Sequence, residues 1–267
     1  MTFRDLGKAQ YHPVDYCIYC GATDALTREH IMPFGLSGTA VLPKSSCESC
    51  SKITGGIERD LLRGSMQPVR VYRELKSRKK HRNAPITYSV ILVIDGKEQA
   101  VELPIHEYPI LLHFPVFPPP ACLAPEGYTA GIHVRGIVTI NYGAKPDDTL
   151  QKFGATQIRH TADCQAPEFA RMIAKIGYSM AVAEGQLDFI SGEPYVLPSI
   201  LGQCDDIGRW VGTITKPLQA YTDQLHRIFI HKDLEQGLLI AEVQLFSDSP
   251  TPSYGVVLGQ LKYQKSV

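Results

Sequence analysis

The chain has 267 residues, 44% apolar and 20% charged, which suits one large domain or two modest ones with a real core and excludes a disordered polypeptide. No apolar run follows the first basic residues, and the most apolar stretch, 109–121, is broken by His113 and five prolines. Neither a secretory signal nor a spanning helix is expected, and a cytoplasmic protein that does not engage membranes is. The net charge of zero conceals an asymmetry: residues 1–82 hold 14 Lys/Arg against 8 Asp/Glu, and residues 83–267 hold 13 against 19. The first part is therefore +6 and the second −6, a field that steers a polyanion toward the N-terminal part.

In chain order, a short lead-in with His12-Pro13 precedes Cys17-Ile-Tyr-Cys20, a knuckle covered by Tyr16 and Tyr19. Residues 26–31 read as a strand ended by Pro33, Gly35 and Gly38 permit a wide turn, and 40–42 return as a second strand. Ser45 and Glu48 have capping-box spacing for a helix carrying Cys47 and Cys50 in its first turns, and Gly55-Gly56 marks its end or a bend. Residues 66–80 read as a helix with Val69, Tyr72 and Leu75 on one face, running into a basic stretch that includes Arg78, Lys79, Lys80 and Arg82. Such a run is a solvated linker or a phosphate-contacting surface.

Beyond Pro85 the pattern changes. Residues 86–94 and 100–103 around Asp95-Gly96-Lys97 read as a hairpin, followed by a Pro-rich loop and a strand over 131–140. Residues 167–184 form the best helix, with Pro167 in its first turn and Phe169, Met172, Ile173, Ile176 and Met180 at helical spacing. Strands follow over 226–231, 238–246 and 254–261. His226 and His231 lie five apart on a strand and so point to opposite faces, and His106, His113 and His133 stand in unrelated contexts. The lone cysteines, Cys122, Cys164 and Cys204, read as small buried apolar residues.

The chemistry concentrates in the first fifth of the chain. Cys17, Cys20, Cys47 and Cys50 form two C-x-x-C units, each able to place two thiolates on one ion, and together they complete a tetrahedral zinc shell. Between them lies Glu29-His30. Adjacent side chains on a strand face opposite ways unless a twist or bulge makes them converge.

CIYCG at 17–21, LTREHIMPFGLSG at 26–38 and SCESCSKITG at 46–55 together resemble the HNH endonuclease family, in the subgroup with a four-cysteine structural zinc site. The resemblance covers residues 17–60. It implies a small zinc-stabilised ββα-metal module that binds a divalent ion such as Mg²⁺ and cuts nucleic acid. By the same resemblance Glu29 is the metal ligand, His30 the general base that takes a proton from water, and Cys17, Cys20, Cys47 and Cys50 the zinc ligands. The stretch AVLPKSS lacks the family's asparagine before the second cysteine pair, and Ser51 follows Cys50 where the family places Asn or His. Ser51 would then hold a metal-bound water, and Glu58, two helical turns along the same side, would replace the missing ligand.

The expected architecture is α+β: an HNH-like module with its basic extension over 1–84, then a separate mixed α+β domain over 85–267. The expected function is metal-dependent hydrolysis of phosphodiester bonds, with DNA as partner. Two alternatives stand beside it: a catalytically inactive zinc-stabilised nucleic-acid-binding or interaction module, and a ligand-sensing or other activity seated in the C-terminal domain.

Overall fold

The computed structural model describes residues 11–77, 85–124, 128–160, 164–220 and 224–262. Near the N-terminus, β1 (Thr27–His30) and β2 (Val41–Ser46) form an antiparallel ladder that pairs Glu29 with Leu42 and His30 with Val41. Its register shifts between Thr27 and Glu29, a bulge that re-aims the side chains after it. Pro33 opens a 3-10 turn, Phe34–Leu36, and the loop then doubles back so tightly that a Cβ on Gly38 would stand 2.0 Å from the Met32 carbonyl oxygen.

Helix α1 (Glu48–Arg63) follows at once, with Cys47 at its N-cap and no side-chain cap bond. The expected capping box is not made, because Ser45 is buried within β2 and its hydroxyl donates to the Leu42 carbonyl at 2.7 Å. Nor does the helix break at Gly55-Gly56. Thr54, Ile57 and Leu61 bury a continuous stripe across the pair, so packing outweighs the propensity cost. Helix α2 (Gln67–Tyr72) is shorter than its sequence pattern suggests, since Glu74 takes a φ of 51° and ends it.

Strands β3 (Thr87–Ile94) and β4 (Lys97–Pro104) make the expected hairpin, with Asp95 and Gly96 both at positive φ. β5 (Leu111–Val116) pairs with β6 (Gly136–Asn141), then come α3 (Pro146–Phe153) and β7 (Gln157–Arg159), which joins β3. The strand read over 131–140 is thus only its later half. Helix α4 (Ala166–Ala183) precedes β8 (Ile190–Ser191), α5 (Leu197–Ile200) and β9 (Val211–Thr213). Finally β10 (His226–Asp233), β11 (Leu238–Leu245) and β12 (Ser253–Leu261) form an antiparallel sheet whose far strand also pairs with β8 and β9.

Helix α4 is the centre. Twelve of its 18 residues are buried, including every one from Met172 to Ala181, the mark of a helix covered on all sides. It lies against β10, β11 and β12, closely enough that a Cβ on Gly177 would stand 2.8 Å from that of Ala241. Its other side meets α1 and the cysteine knuckle, where the Tyr178 hydroxyl donates to the Ile18 carbonyl and the Tyr19 hydroxyl lies 3.5 Å from Ser179 Oγ. One apolar cluster accordingly runs from Cys17 to Leu258, joining the small N-terminal unit to the larger α+β region. Among the described residues no helix is long and apolar enough to cross a membrane.

Candidate functional site

The four cysteines of the paired knuckles come together. Their sulfurs all lie within 4.8 Å of one another, and those of Cys20 and Cys47 are 3.6 Å apart. Four sulfurs at ~2.3 Å from one zinc ion would stand about 3.8 Å apart, so the donor set and its spacing both suit a structural zinc. No disulfide joins them. The first knuckle is closed by the Gly21 N–H on the Cys17 carbonyl at 2.8 Å, and the second by the start of α1. The Cys50 backbone N–H draws the Cys47 thiol down to about 7, whereas burial pushes the Cys50 thiol well up. One thiol is therefore readily ionised near neutrality, and metal capture would displace protons from the others. Tyr19 is buried beside the cluster as expected, but Tyr16 is half exposed.

A cleft of about 1020 Å³ opens beside the cluster, between β1 with the turn after it, α1 and α2. Glu29, His30, Ser51 and Glu58 all line it, so the bulged strand brings both members of the Glu-His pair to one cavity. His30 is half-buried and edge-on to Phe34 at 5.6 Å. Ser51 donates its hydroxyl to the Glu48 carbonyl at 3.0 Å, within its own helix turn.

Glu29 and Glu58 meet a residue that the sequence pattern gave no reason to place here. The Lys175 ammonium, rising from the middle of α4, stands 2.7 Å from Glu29 Oε1 and 2.8 Å from Glu58 Oε1, and also donates to the His30 carbonyl. The Lys175 side chain is 1% exposed and that of Glu29 8%. Burial by itself would lower the lysine's pKa, but the charges of Glu29 and Glu58 outweigh it and raise the value to about 12. The signal available beforehand was a single charge in the apolar run Met172-Ile-Ala-Lys175-Ile176.

The same carboxylates are the ones that would hold a divalent ion. Both give one oxygen to the ammonium, and among the described residues only the four cysteines form a group of three or more ligands within reach of one ion. Glu29, His30 and Glu58 do not form such a group.

The lining also holds six basic side chains, Arg28, Lys52, Arg59, Arg63, Arg70 and Lys76. Arg70 is buried and braces the cleft, donating to the carbonyls of Gly35 at 2.7 Å and Leu62 at 2.6 Å, while burial lowers its pKa. Among the described residues no carboxylate lies within ion-pair distance of it. Arg73 instead leaves the cleft to grip Asp248 through both guanidinium nitrogens. The basic run with Arg78, Lys79, Lys80 and Arg82 lies outside the described residues.

Elsewhere, His113 Nε2 is 3.0 Å from His160 Nδ1, so two histidines from different segments are neighbours. Cys122 and Cys164 are half-buried, with burial raising the Cys122 thiol to about 11, and Cys204 is exposed. Cys204 lies on the turn after α5, where its sulfur contacts Ser199 Oγ at 3.5 Å, and so does not join the core. Compared with family models, with curated proteins and with solved structures, the chain matches none.

Proposed function

We propose that this chain is an HNH-like endonuclease that hydrolyses phosphodiester bonds of nucleic acid, DNA foremost, in the cleft beside its four-cysteine cluster. The observation that carries the reading is the cleft lining: His30 and two carboxylates share one cavity with six cationic side chains. The strand–strand–helix order, with one cysteine pair before β1 and the other at the start of α1, supports the resemblance to that family. In this reading neutral His30 takes a proton from water as the water oxygen bonds to phosphorus. The bond from phosphorus to the leaving sugar oxygen breaks, and that oxygen takes a proton from solvent. The cations hold the phosphates on either side and offset the charge that builds on the transferring group.

A catalytically silent nucleic-acid-binding module is the second reading, favoured by the engagement of both Glu29 and Glu58 with Lys175. Single- and double-stranded DNA and RNA, offered with and without Mg²⁺ or Mn²⁺, separate the two. On the first reading His30→Ala lowers the cleavage rate about 10²–10⁴-fold and leaves affinity nearly unchanged. Replacing Arg59 and Arg63 by alanine weakens binding of all sequences alike and flattens the slope of log affinity against log salt by about 0.9 per lost contact. Tight, salt-dependent binding without cleavage of any substrate would establish the silent module. Absence of binding would remove both.

A further inference from the structure

We propose that Lys175 is the fixed cation of this cleft: its ammonium occupies the seat between Glu29 and Glu58 that a divalent ion would otherwise fill, so the carboxylate pair takes up neither Mg²⁺ nor Mn²⁺. An ammonium has three N–H donors, and here three acceptors meet it: Glu29 at 2.7 Å, Glu58 at 2.8 Å and the His30 carbonyl. No donor is left over. The ammonium is also kept out of solvent, because the lysine side chain is 1% exposed. Mg²⁺ usually keeps several waters, and a seat already filled by the ammonium leaves no place there for a hydrated ion.

The cation is fixed as well as present. Lys175 stands mid-helix in α4, two residues from the Gly177 contact with Ala241, and both of its neighbours in sequence are fully buried. It cannot swing clear without leaving Glu29, Glu58 and the His30 carbonyl each short of a donor. A divalent ion entering the same seat would have to share the two carboxylate oxygens with a like charge at close range.

Lys175 is therefore a positioning residue. It allows two carboxylates to remain side by side, and it pins the backbone that carries His30. The inference rests on the phosphodiesterase reading for its consequence alone, which is that the cleft works without added divalent metal. Its test does not depend on cleavage.

The full-length, zinc-loaded protein is titrated with Mn²⁺ while electron paramagnetic resonance follows the free ion. The wild type should remove no more Mn²⁺ from solution than the Glu29→Gln, Glu58→Gln double variant. Lys175→Met should gain a site for one Mn²⁺ per chain, lost again when Glu29→Gln is added. Mn²⁺ uptake by the wild type that Glu29→Gln abolishes would overturn the proposal, as would a folded Lys175→Met that binds none.

Should Lys175→Met fail to fold, the lysine ammonium is observed directly in the wild type by ¹H–¹⁵N spectroscopy. A buried ammonium on three acceptors gives a slowly exchanging resonance. Mg²⁺ should leave it in place, and a shift or loss on adding Mg²⁺ refutes the assignment. Mn²⁺ uptake by the wild type removes the fixed-cation inference and leaves the nuclease reading standing. Failure to cleave nucleic acid does the reverse.

Discussion

Single side chains decide the character of this site, and Lys175 is the first of them. Truncating one member of a buried charge cluster strands the others, so Lys175→Ala should cost about 3–5 kcal/mol in urea unfolding. Replacing all three, Glu29→Gln, Lys175→Met and Glu58→Gln, should recover much of that loss. The trio was illegible in the sequence because Lys175 lies 117 residues from Glu58 and farther still from Glu29, and a lysine in a helical run reads as a surface group. The cysteines, by contrast, announce themselves by identity and spacing. His226 gives a second prediction. Its Nε2 lies 2.9 Å from the Leu36 carbonyl and its Nδ1 accepts from the Phe246 N–H at 3.1 Å, an arrangement that needs the neutral ring. Burial lowers its pKa from 6.5 to about 4, with the nearby charges of Asp248 and Arg73 opposing each other. The unfolded chain therefore binds a proton below pH 6.5 that the fold refuses. Stability should fall by roughly 3 kcal/mol as pH drops from 6.5 to 4 and level off below. Urea midpoints across that range check this, and His226→Gln should flatten the slope.

Elements were legible where local signals and burial agree. The β3–β4 hairpin has its Asp-Gly turn, and α4 has both Pro167 and an apolar stripe. β5 was hidden by Pro115, tolerated because the strand pairs with β6 alone. α3 had usable signals, a leading Pro146, acidic residues in its first turn and Gly154 in the left-handed region at its end, in a stretch without a long apolar stripe. The wrongly expected break in α1 carries its own prediction. A Cβ on Gly55 would meet nothing within 4 Å, and the helix runs straight through it. Gly55→Ala should therefore stabilise the protein by about 0.5–1 kcal/mol, read as a raised unfolding midpoint. Because Gly55 lines the cleft, the same methyl group should also weaken nucleic-acid binding.

At the scale of the whole molecule, the sequence shows a change of pattern near residue 85, while the core shows continuity. α4 is packed between the N-terminal unit and the C-terminal sheet, and His226 and Asp248 reach from that sheet to Leu36 and Arg73. Sequence periodicity reports which face of an element is buried and not what it is buried against. The shared core predicts a single cooperative transition. Trp210, the chain's one tryptophan, adjoins β9, far in sequence from the cysteines. Zinc held at a thousandfold excess over its Kd contributes about 4 kcal/mol. Replacing Cys47 and Cys50 by serine should therefore lower the denaturant midpoint seen by Trp210 fluorescence together with that seen by far-ultraviolet circular dichroism. Separate midpoints would show two units that unfold independently. The placement of Lys175 has a further consequence during synthesis. All four cysteines leave the ribosome before Glu58 does, but the cation for Glu58 follows 117 residues later. At roughly 5–20 residues per second that delay is on the order of ten seconds. The nascent chain can thus load its metal early while its carboxylates still repel one another, so the cleft stays unassembled until translation has passed α4.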